Sequence, residues 1–159
     1  MTDATPHVDP STCSDAVVVG YDGSHDAARA VRWAHADADR RRVRLVVLRA
    51  WSLKTAPRLK EVDLNYVPSE DEFAAAVRDS LTVDLVGVLG AEATAEAVPL
   101  AVHRPAEEAL VEASRYAAVT VVGARGTGLA RLLGSVSASV VRNAQGPVVV
   151  IPQDGERGR

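Results

Sequence analysis

The sequence predicts an α/β fold: a three-layer sandwich on a five-stranded parallel sheet in the order 3-2-1-4-5, of the Rossmann-like or flavodoxin-like type. Short apolar runs typical of strands alternate along the chain with stretches whose apolar residues recur at helical spacing. The strand runs are apolar at every position, which is expected of strands buried on both faces. Strands that alternate with helices are joined by right-handed crossovers and form parallel sheets covered on both sides.

The first β-α unit shows both patterns. A β-branched run at 16–20 predicts the first strand, and the following helix begins after Ser24, a residue type favoured at helix N-caps. Apolar residues then recur at helical spacing from Ala27 to Ala38. The basic cluster at 40–44 follows, where cations complement the helix dipole. Because no aromatic side chains are interleaved with it, we interpret this cluster as a helix end rather than a phosphate or nucleic-acid site.

The rest of the chain continues the alternation. Residues 15–152 form the predicted domain, 153–159 a polar tail, and the polar segment 1–14, which has no apolar signal-peptide core, a disordered leader. The remaining predicted elements are a strand at 43–49, an irregular segment at 51–69, a helix at 71–90, a strand at 97–102, a helix at 105–117, a strand at 118–122, a helix at 135–143 and a strand at 147–151.

Composition excludes several classes of protein. The 159 residues carry 21 acidic and 18 basic side chains, so the net charge of −3 gives no electrostatic argument for nucleic acid. The one cysteine, Cys13, excludes an intrachain disulfide framework and a cysteine-based zinc site. No apolar run approaches the length of a membrane-spanning helix. We therefore expect a protein of the cytoplasm.

Two unusual loops follow the first and fourth predicted strands. Ligands of open α/β sheets bind beyond the carboxyl ends of the strands, where the strand order reverses, and for the order 3-2-1-4-5 that point lies between these two strands. The first loop contains Asp22, which could accept hydrogen bonds from a ribose or a base. The second is rich in glycine and leads to Gly134 and Ser135 at a helix start, where free amides and the helix dipole favour an anion.

Other motifs of catalysis and binding are absent from the sequence. The glycines do not read G-x-G-x-x-G, no lysine follows Gly128 as in a P-loop, and no G-x-S-x-G elbow is present. Taken alone, Asp22 is also favoured as a turn residue, and Gly123 and Gly126 could serve only a tight turn. Because two such loops meet at one point of the sheet, we favour a ligand-binding site over two unrelated turns.

Three stretches of the chain carry a family resemblance. They are Val17-Val-Val-Gly-Tyr-Asp22-Gly-Ser24, the helix start Pro105-Ala-Glu-Glu-Ala-Leu110, and the ending that runs from Val121 through Gly134-Ser-Val-Ser to Ile151. Over about residues 15–152 the chain resembles the universal stress protein family. In members of this family that bind ATP, glycines in the pattern Gly-x2-Gly-x9-Gly-Ser/Thr hold the phosphates, and an Asp after the first strand contacts the adenosine end.

The resemblance implies a nucleotide site in this chain. The phosphate motif is matched by Gly123, Gly126, Gly134 and Ser135, and Val136 follows it. Asp22 matches the Asp at the adenosine end, and Ala50 matches the apolar position near the adenine.

One interval departs from the family pattern. Seven residues, not nine, separate Gly126 from Gly134. At the length of an extended residue, the difference removes up to about 7 Å of reach. The shorter loop either closes with both ends still in place or draws Gly134 and Ser135 out of phosphate reach.

The functional expectation is a stress-response sensor or interaction module that binds ATP or a related adenine nucleotide, with Mg²⁺ as the companion ion of ATP. The alternative is a family member that binds no nucleotide and acts through dimerisation and partners. We expect no enzymatic activity, because no general base is positioned near the glycine loop. The last strand, Val148–Ile151, lies at the predicted sheet edge, and the resemblance implies a homodimer paired there.

Overall fold

The computed structural model describes residues 8–59, 65–124 and 133–153. A parallel five-stranded sheet in the order β3-β2-β1-β4-β5 confirms the predicted fold class. The strands are β1 Val17–Gly20, β2 Leu45–Ala50, β3 Val98–Val102, β4 Val119–Gly123 and β5 Val148–Ile151. The helices are α1 Pro10–Cys13, α2 His25–Arg41, α3 Glu70–Leu89, α4 Ala91–Glu96, α5 Ala106–Ala113 and α6 Ser135–Asn143.

The register of the sheet places its reversal point at β1. Val19 lies opposite Val47 of β2 on one side and Val121 of β4 on the other. The chain therefore leaves β1 towards β2 and β3, and returns to its other side with β4 and β5. The carboxyl ends of β1 and β4 lie next to each other, as the sequence predicts.

Alternating side chains of the strands face two separate cores. Val17 and Val19 pack into one apolar cluster with α2 and α3, while Val18 packs into a second with α5 and α6. A central strand is thus buried on both faces, which explains its uninterrupted β-branched sequence. Aliphatic side chains dominate both clusters, in keeping with a chain that is 4% aromatic.

The amino-terminal segment differs from the prediction. The expected disordered leader reaches Ser14, but in the described residues 8–14 the short helix α1 is ordered, with the side chains of Val8 and Cys13 buried in the second core. Arg44 fastens this segment to the start of β2, because its guanidinium donates hydrogen bonds to the carbonyl oxygens of Ser11 and Ser14 at 3.0 and 3.1 Å. The boundary of the ordered domain therefore lies before the predicted residue 15.

Helix ends follow the local chemistry. Ser24 caps α2 as predicted, since its hydroxyl accepts a hydrogen bond from the Ala27 amide at 3.2 Å. The basic cluster lies at the end of the same helix, where Arg40 and Arg41 both pair with the buried Asp37. A capping box of Ser69 and Glu72, which the sequence analysis did not identify, starts α3.

Two other elements differ from the sequence prediction. The helix expected at 105–117 ends at Ala113, because the chain turns through Ser114 to reach β4. The helix α4 was not predicted, and it fills the connection into β3.

Pro99 is accommodated in β3 because that strand lies at the edge of the sheet, where one side needs no amide donor. No helix in the described parts of the chain is long and apolar enough to span a bilayer.

Two glycines give a matched test of this packing. A methyl group at Gly146 would lie 2.6 Å from the Ser114 carbonyl oxygen, whereas one at the helical Gly87 would meet nothing within 4 Å. We expect Gly146→Ala to lower the free energy of unfolding by about 1–3 kcal/mol through overpacking. Gly87→Ala should raise it by about 0.5–1 kcal/mol, because alanine loses less backbone entropy in a helix. Urea denaturation of both variants measures the difference, and equal effects of the two substitutions would contradict the packing described.

Candidate functional site

A cleft opens above the carboxyl ends of β1 and β4, at the reversal point of the sheet. Its volume is about 130 Å³. The lining residues come from the ends of three strands, the β1–α2 loop and the first turns of α2, α5 and α6. They are Gly20, Tyr21, Asp22, Ser24, Asp26, Ala27, Leu48, Ala50, Ala106, Leu110, Val122, Gly123, Gly134, Ser135, Val136 and Ser137.

The structure brings the sequence-predicted residues to this one cleft, with one exception. Gly126 lies outside the described residues, as does most of the shortened loop that follows it. The predicted residues that line the cleft are Asp22, Ala50, Gly123, Gly134, Ser135 and Val136. The β1–α2 loop and the described ends of the second loop, Gly123 and Gly134, therefore line the same cleft.

The β1–α2 loop is ordered by its own side chains. The Asp22 carboxylate accepts a hydrogen bond from the Ser24 amide at 3.0 Å, which is the turn-forming role of an aspartate. Asp22 is nonetheless exposed and lines the cleft. A carboxylate has several acceptor positions, so the turn contact leaves capacity for a ligand hydroxyl.

Gly123 has a packing role that sequence reasoning missed. A methyl group at this position would lie 3.0 Å from the carbonyl oxygen of Asp26, in the first turn of α2. The end of β4 and the start of α2 thus approach closely, and a side chain at residue 123 would fit only with a small displacement of α2. Its carbonyl oxygen also accepts a hydrogen bond of 2.6 Å from the buried hydroxyl of Ser137, which comes from α6.

The first turn of α6 presents backbone amides to the cleft. Gly134 is its N-cap residue, with φ −61° and ψ 165°, and no side chain of the described residues caps the helix. The Ser135 side chain is exposed, and Ser135, Val136 and Ser137 all line the cleft. An uncapped helix start carries partial positive charge and free N–H donors, which suits an anionic group.

The remaining walls divide into an apolar and an acidic part. Leu48, Ala50, Leu110 and Val122 form an apolar surface, next to the start of α5 at Ala106. Asp22 and Asp26 are the charged side chains among the described lining residues. Asp26 also accepts a hydrogen bond of 3.1 Å from the side chain of Gln153. The cleft can therefore hold a flat apolar group, hydroxyl groups and an anion in adjacent positions.

Three side chains with nucleophile or base chemistry have defined surroundings, and of these only Tyr21 is among the described lining residues of the cleft. Burial, together with the neighbouring carboxylate of Asp84, raises the pKa of the Tyr21 phenol, so this group stays protonated at neutral pH. Burial also raises the pKa of the Cys13 thiol to about 11. Glu112, the acid nearest in sequence to the glycine loop, pairs with Arg104. Among the described residues, no group of three or more His, Cys, Asp or Glu side chains could hold a metal ion.

Asp26 and Ser137 are two of the cleft residues that the sequence analysis did not predict. Asp26 contributes a backbone carbonyl to the packing at Gly123, and no sequence pattern reports a backbone contact. Ser137 is 4% exposed. The sequence signal that could have identified it is its position two residues after Ser135, in the run Gly-Ser-Val-Ser.

Comparison with known proteins gives the family context. The sequence pattern of the Universal stress protein family matches residues 14–152. Universal stress protein Rv2623 of Mycobacterium tuberculosis is 37% identical over 142 residues, which cover 85% of this chain and 46% of that protein. The chain spans about half the length of the curated relatives it matches.

Solved structures agree with the fold. A universal stress protein in complex with cAMP is 27% identical, with a TM-score of 0.56 over 86% of this chain and 95% of that one. The universal stress protein from Archaeoglobus fulgidus in complex with dAMP is 23% identical, with a TM-score of 0.59 over 87% of this chain and 98% of that one, a likeness that shows the fold. With its sequence match covering residues 14–152 and its strand order, this chain belongs to the universal stress protein family.

Proposed function

We propose that this chain binds an adenine nucleotide in the β1/β4 cleft and acts as a stress-response sensor or interaction module. The observation that carries the proposal is the meeting of an apolar wall and an uncapped helix start in one cleft. The 27% identical relative solved in complex with cAMP supports the same ligand class. The assignment to stress signalling rests on membership of the family.

Each part of the ligand has a matching wall. The adenine would lie against Ala50, Leu48 and Leu110, whose side chains offer apolar surface. The Asp22 carboxylate would accept a hydrogen bond from a ribose hydroxyl. The phosphate would lie at the start of α6, where the amides of Ser135 and the next residues donate and the helix dipole favours negative charge.

ATP is the nucleotide that the glycine pattern favours. The sequence places Gly126, in the family position of a second phosphate glycine, between Gly123 and Gly134. Mg²⁺ would enter as the counter-ion of the triphosphate and not in a protein cage, because this ion keeps water and phosphate ligands. Its place beside the phosphates would offset the negative charge of Asp22 and Asp26.

We propose binding without efficient hydrolysis. Phosphoryl transfer to water needs a residue that orients the attacking water. The carboxylates among the described lining residues are Asp22, which the proposed pose assigns to a ribose hydroxyl, and Asp26, which accepts a hydrogen bond from Gln153. The Tyr21 phenol is buried and protonated, which excludes it as a base at neutral pH.

A bulky side chain at Ala50 tests the site. Ala50→Leu should weaken ATP or AMP binding about tenfold or more, because the added atoms occupy the adenine wall, and a tenfold loss is about 1.4 kcal/mol. Ala93→Leu in α4, also half-buried but away from the cleft, is the matched control and should bind as the wild type does. Isothermal titration calorimetry measures both, alongside mass spectrometry of any ligand carried by the purified protein.

The proposal would be contradicted by wild-type protein that carries no nucleotide and binds neither ATP, AMP nor cAMP at millimolar concentration. Such a result would favour the alternative, a family member that acts through dimerisation and partners alone.

We further propose a homodimer paired through β5. This strand forms one edge of the sheet and is half-buried along its whole length. The carbonyl oxygens of Pro147 and Ile151 accept hydrogen bonds from the β4 side. Because backbone groups of a strand alternate in direction, those of Val148 and Val150 point to the open edge, where a second copy can pair.

A proline at the open edge tests the dimer. Val150→Pro removes an edge-facing N–H while leaving the bonds from β5 to β4, so the fold should persist and the dimer should weaken. Light scattering at tens of micromolar measures the mass, and circular dichroism checks the fold. A monomeric wild type, or a folded Val150→Pro variant that dimerises like the wild type, would contradict pairing through this edge.

A further inference from the structure

We propose that Ser137 is a positioning residue of the nucleotide site: its hydroxyl fixes the start of α6 at the distance from β4 that phosphate binding requires. This inference rests on the proposed function, because it concerns the phosphate end of the same cleft. It assigns a role to a side chain that lies two residues beyond the phosphate motif itself.

The contact is short, buried and long-range in sequence. The Ser137 hydroxyl donates to the Gly123 carbonyl oxygen at 2.6 Å, and Ser137 is 4% exposed. The bond joins the last residue of β4 to the first turn of α6, across fourteen positions of sequence. A hydrogen bond from a buried hydroxyl is partly shielded from solvent competition, and its loss leaves the half-buried Gly123 carbonyl without that partner.

The acceptor of this bond is itself held in place. Gly123 pairs with Ile151 in the sheet register, and the following amide, of Ala124, donates to the Ile151 carbonyl oxygen at 2.8 Å. On its other side Gly123 abuts the Asp26 carbonyl so closely that a methyl group would lie 3.0 Å from it. The end of β4 is therefore a fixed point against which α6 can be positioned.

The opposite end of α6 has a separate anchor. The Ser114 hydroxyl accepts a hydrogen bond of 3.0 Å from the Gln145 amide, and Gly146 packs directly on the Ser114 carbonyl oxygen. Between these ends, Val136 and Val140 pack into the second core. Apolar packing resists separation of the helix from the sheet but tolerates small shifts along the axis, whereas the Ser137 bond sets the position of the first turn.

This arrangement bears directly on the shortened loop. The interval between Gly126 and Gly134 lacks two residues relative to the family pattern. The bond from Ser137 to Gly123 connects residues on both sides of that interval. The contact therefore holds the helix start to the end of β4 through described residues on both sides of that interval.

The experiment compares ligands with and without a phosphate. We expect Ser137→Ala to bind AMP and ATP about tenfold more weakly than the wild type, a change of about 1.4 kcal/mol, and to bind adenosine unchanged. Ser137→Thr keeps the hydroxyl and should recover most of the affinity. Ser139→Ala, on the same helix and hydrogen-bonded within the described residues to Asn143, makes the same Ser-to-Ala change in helix propensity and should bind like the wild type.

A general loss of structure in the Ser137→Ala variant would weaken the binding of adenosine and of AMP alike. If Ser137→Ala weakened adenosine and AMP binding equally, or if it bound both like the wild type, the inference would be overturned while the proposed function stood. If the wild type bound no adenine nucleotide, the proposed function would fall and the inference with it.

Hydrogen exchange of the ligand-free protein provides a second measurement. The inference predicts faster exchange in Ser137→Ala at the amide of Ala138, which donates to the Gly134 carbonyl oxygen at 2.9 Å, with the exchange of 141–143 near the anchored end unchanged. Uniform acceleration along α6, or none, would contradict the positioning role even if affinity changed.

Discussion

The close approach of β4 to α2 at Gly123 is the constraint on which the cleft depends. Two helix starts and a strand end meet there: a methyl group on residue 123 would lie 3.0 Å from the Asp26 carbonyl oxygen, and the Ser137 hydroxyl bonds to the Gly123 carbonyl oxygen. We expect a larger residue at 123 to strain the contact of β4 with α2 and, with it, the carbonyl that α6 uses as its anchor. The geometry of the walls therefore follows from one backbone contact and the glycine that permits it.

The electrostatic character of the site follows from the same geometry. The described charged side chains of the cleft are Asp22 and Asp26, and the chain as a whole carries a net charge of −3. Attraction for an anion must then come from backbone amides, whose direction is set by the position of the α6 start. Because dipoles act over short distances, a shift of the helix start would cost more affinity than the loss of a distant surface charge.

Sequence reasoning predicted the elements that depend on local pattern. The uninterrupted apolar strands, the Ser24 cap and the strand order all follow from periodicity and from the rules for parallel sheets. It failed at the leader, because Val8 and Cys13 are single apolar residues in a polar segment and nothing local shows that both are buried. Six of the sixteen described lining residues of the cleft were also predicted, since glycines and a helix start leave a sequence pattern. The contacts of Ser137 and Asp26 were not, because both join segments distant in sequence.

The central claim is that an adenine nucleotide occupies the cleft between β1 and β4. Nuclear magnetic resonance of the full chain during titration with AMP tests it most directly, because amide shifts report the location of the ligand as well as its presence. The account predicts saturable shifts concentrated at 20–24, at Ala50, at Gly123 and at 134–137, with small changes on α3 and α4. Shifts confined to other surfaces, or a spectrum that does not change at millimolar AMP, would contradict it.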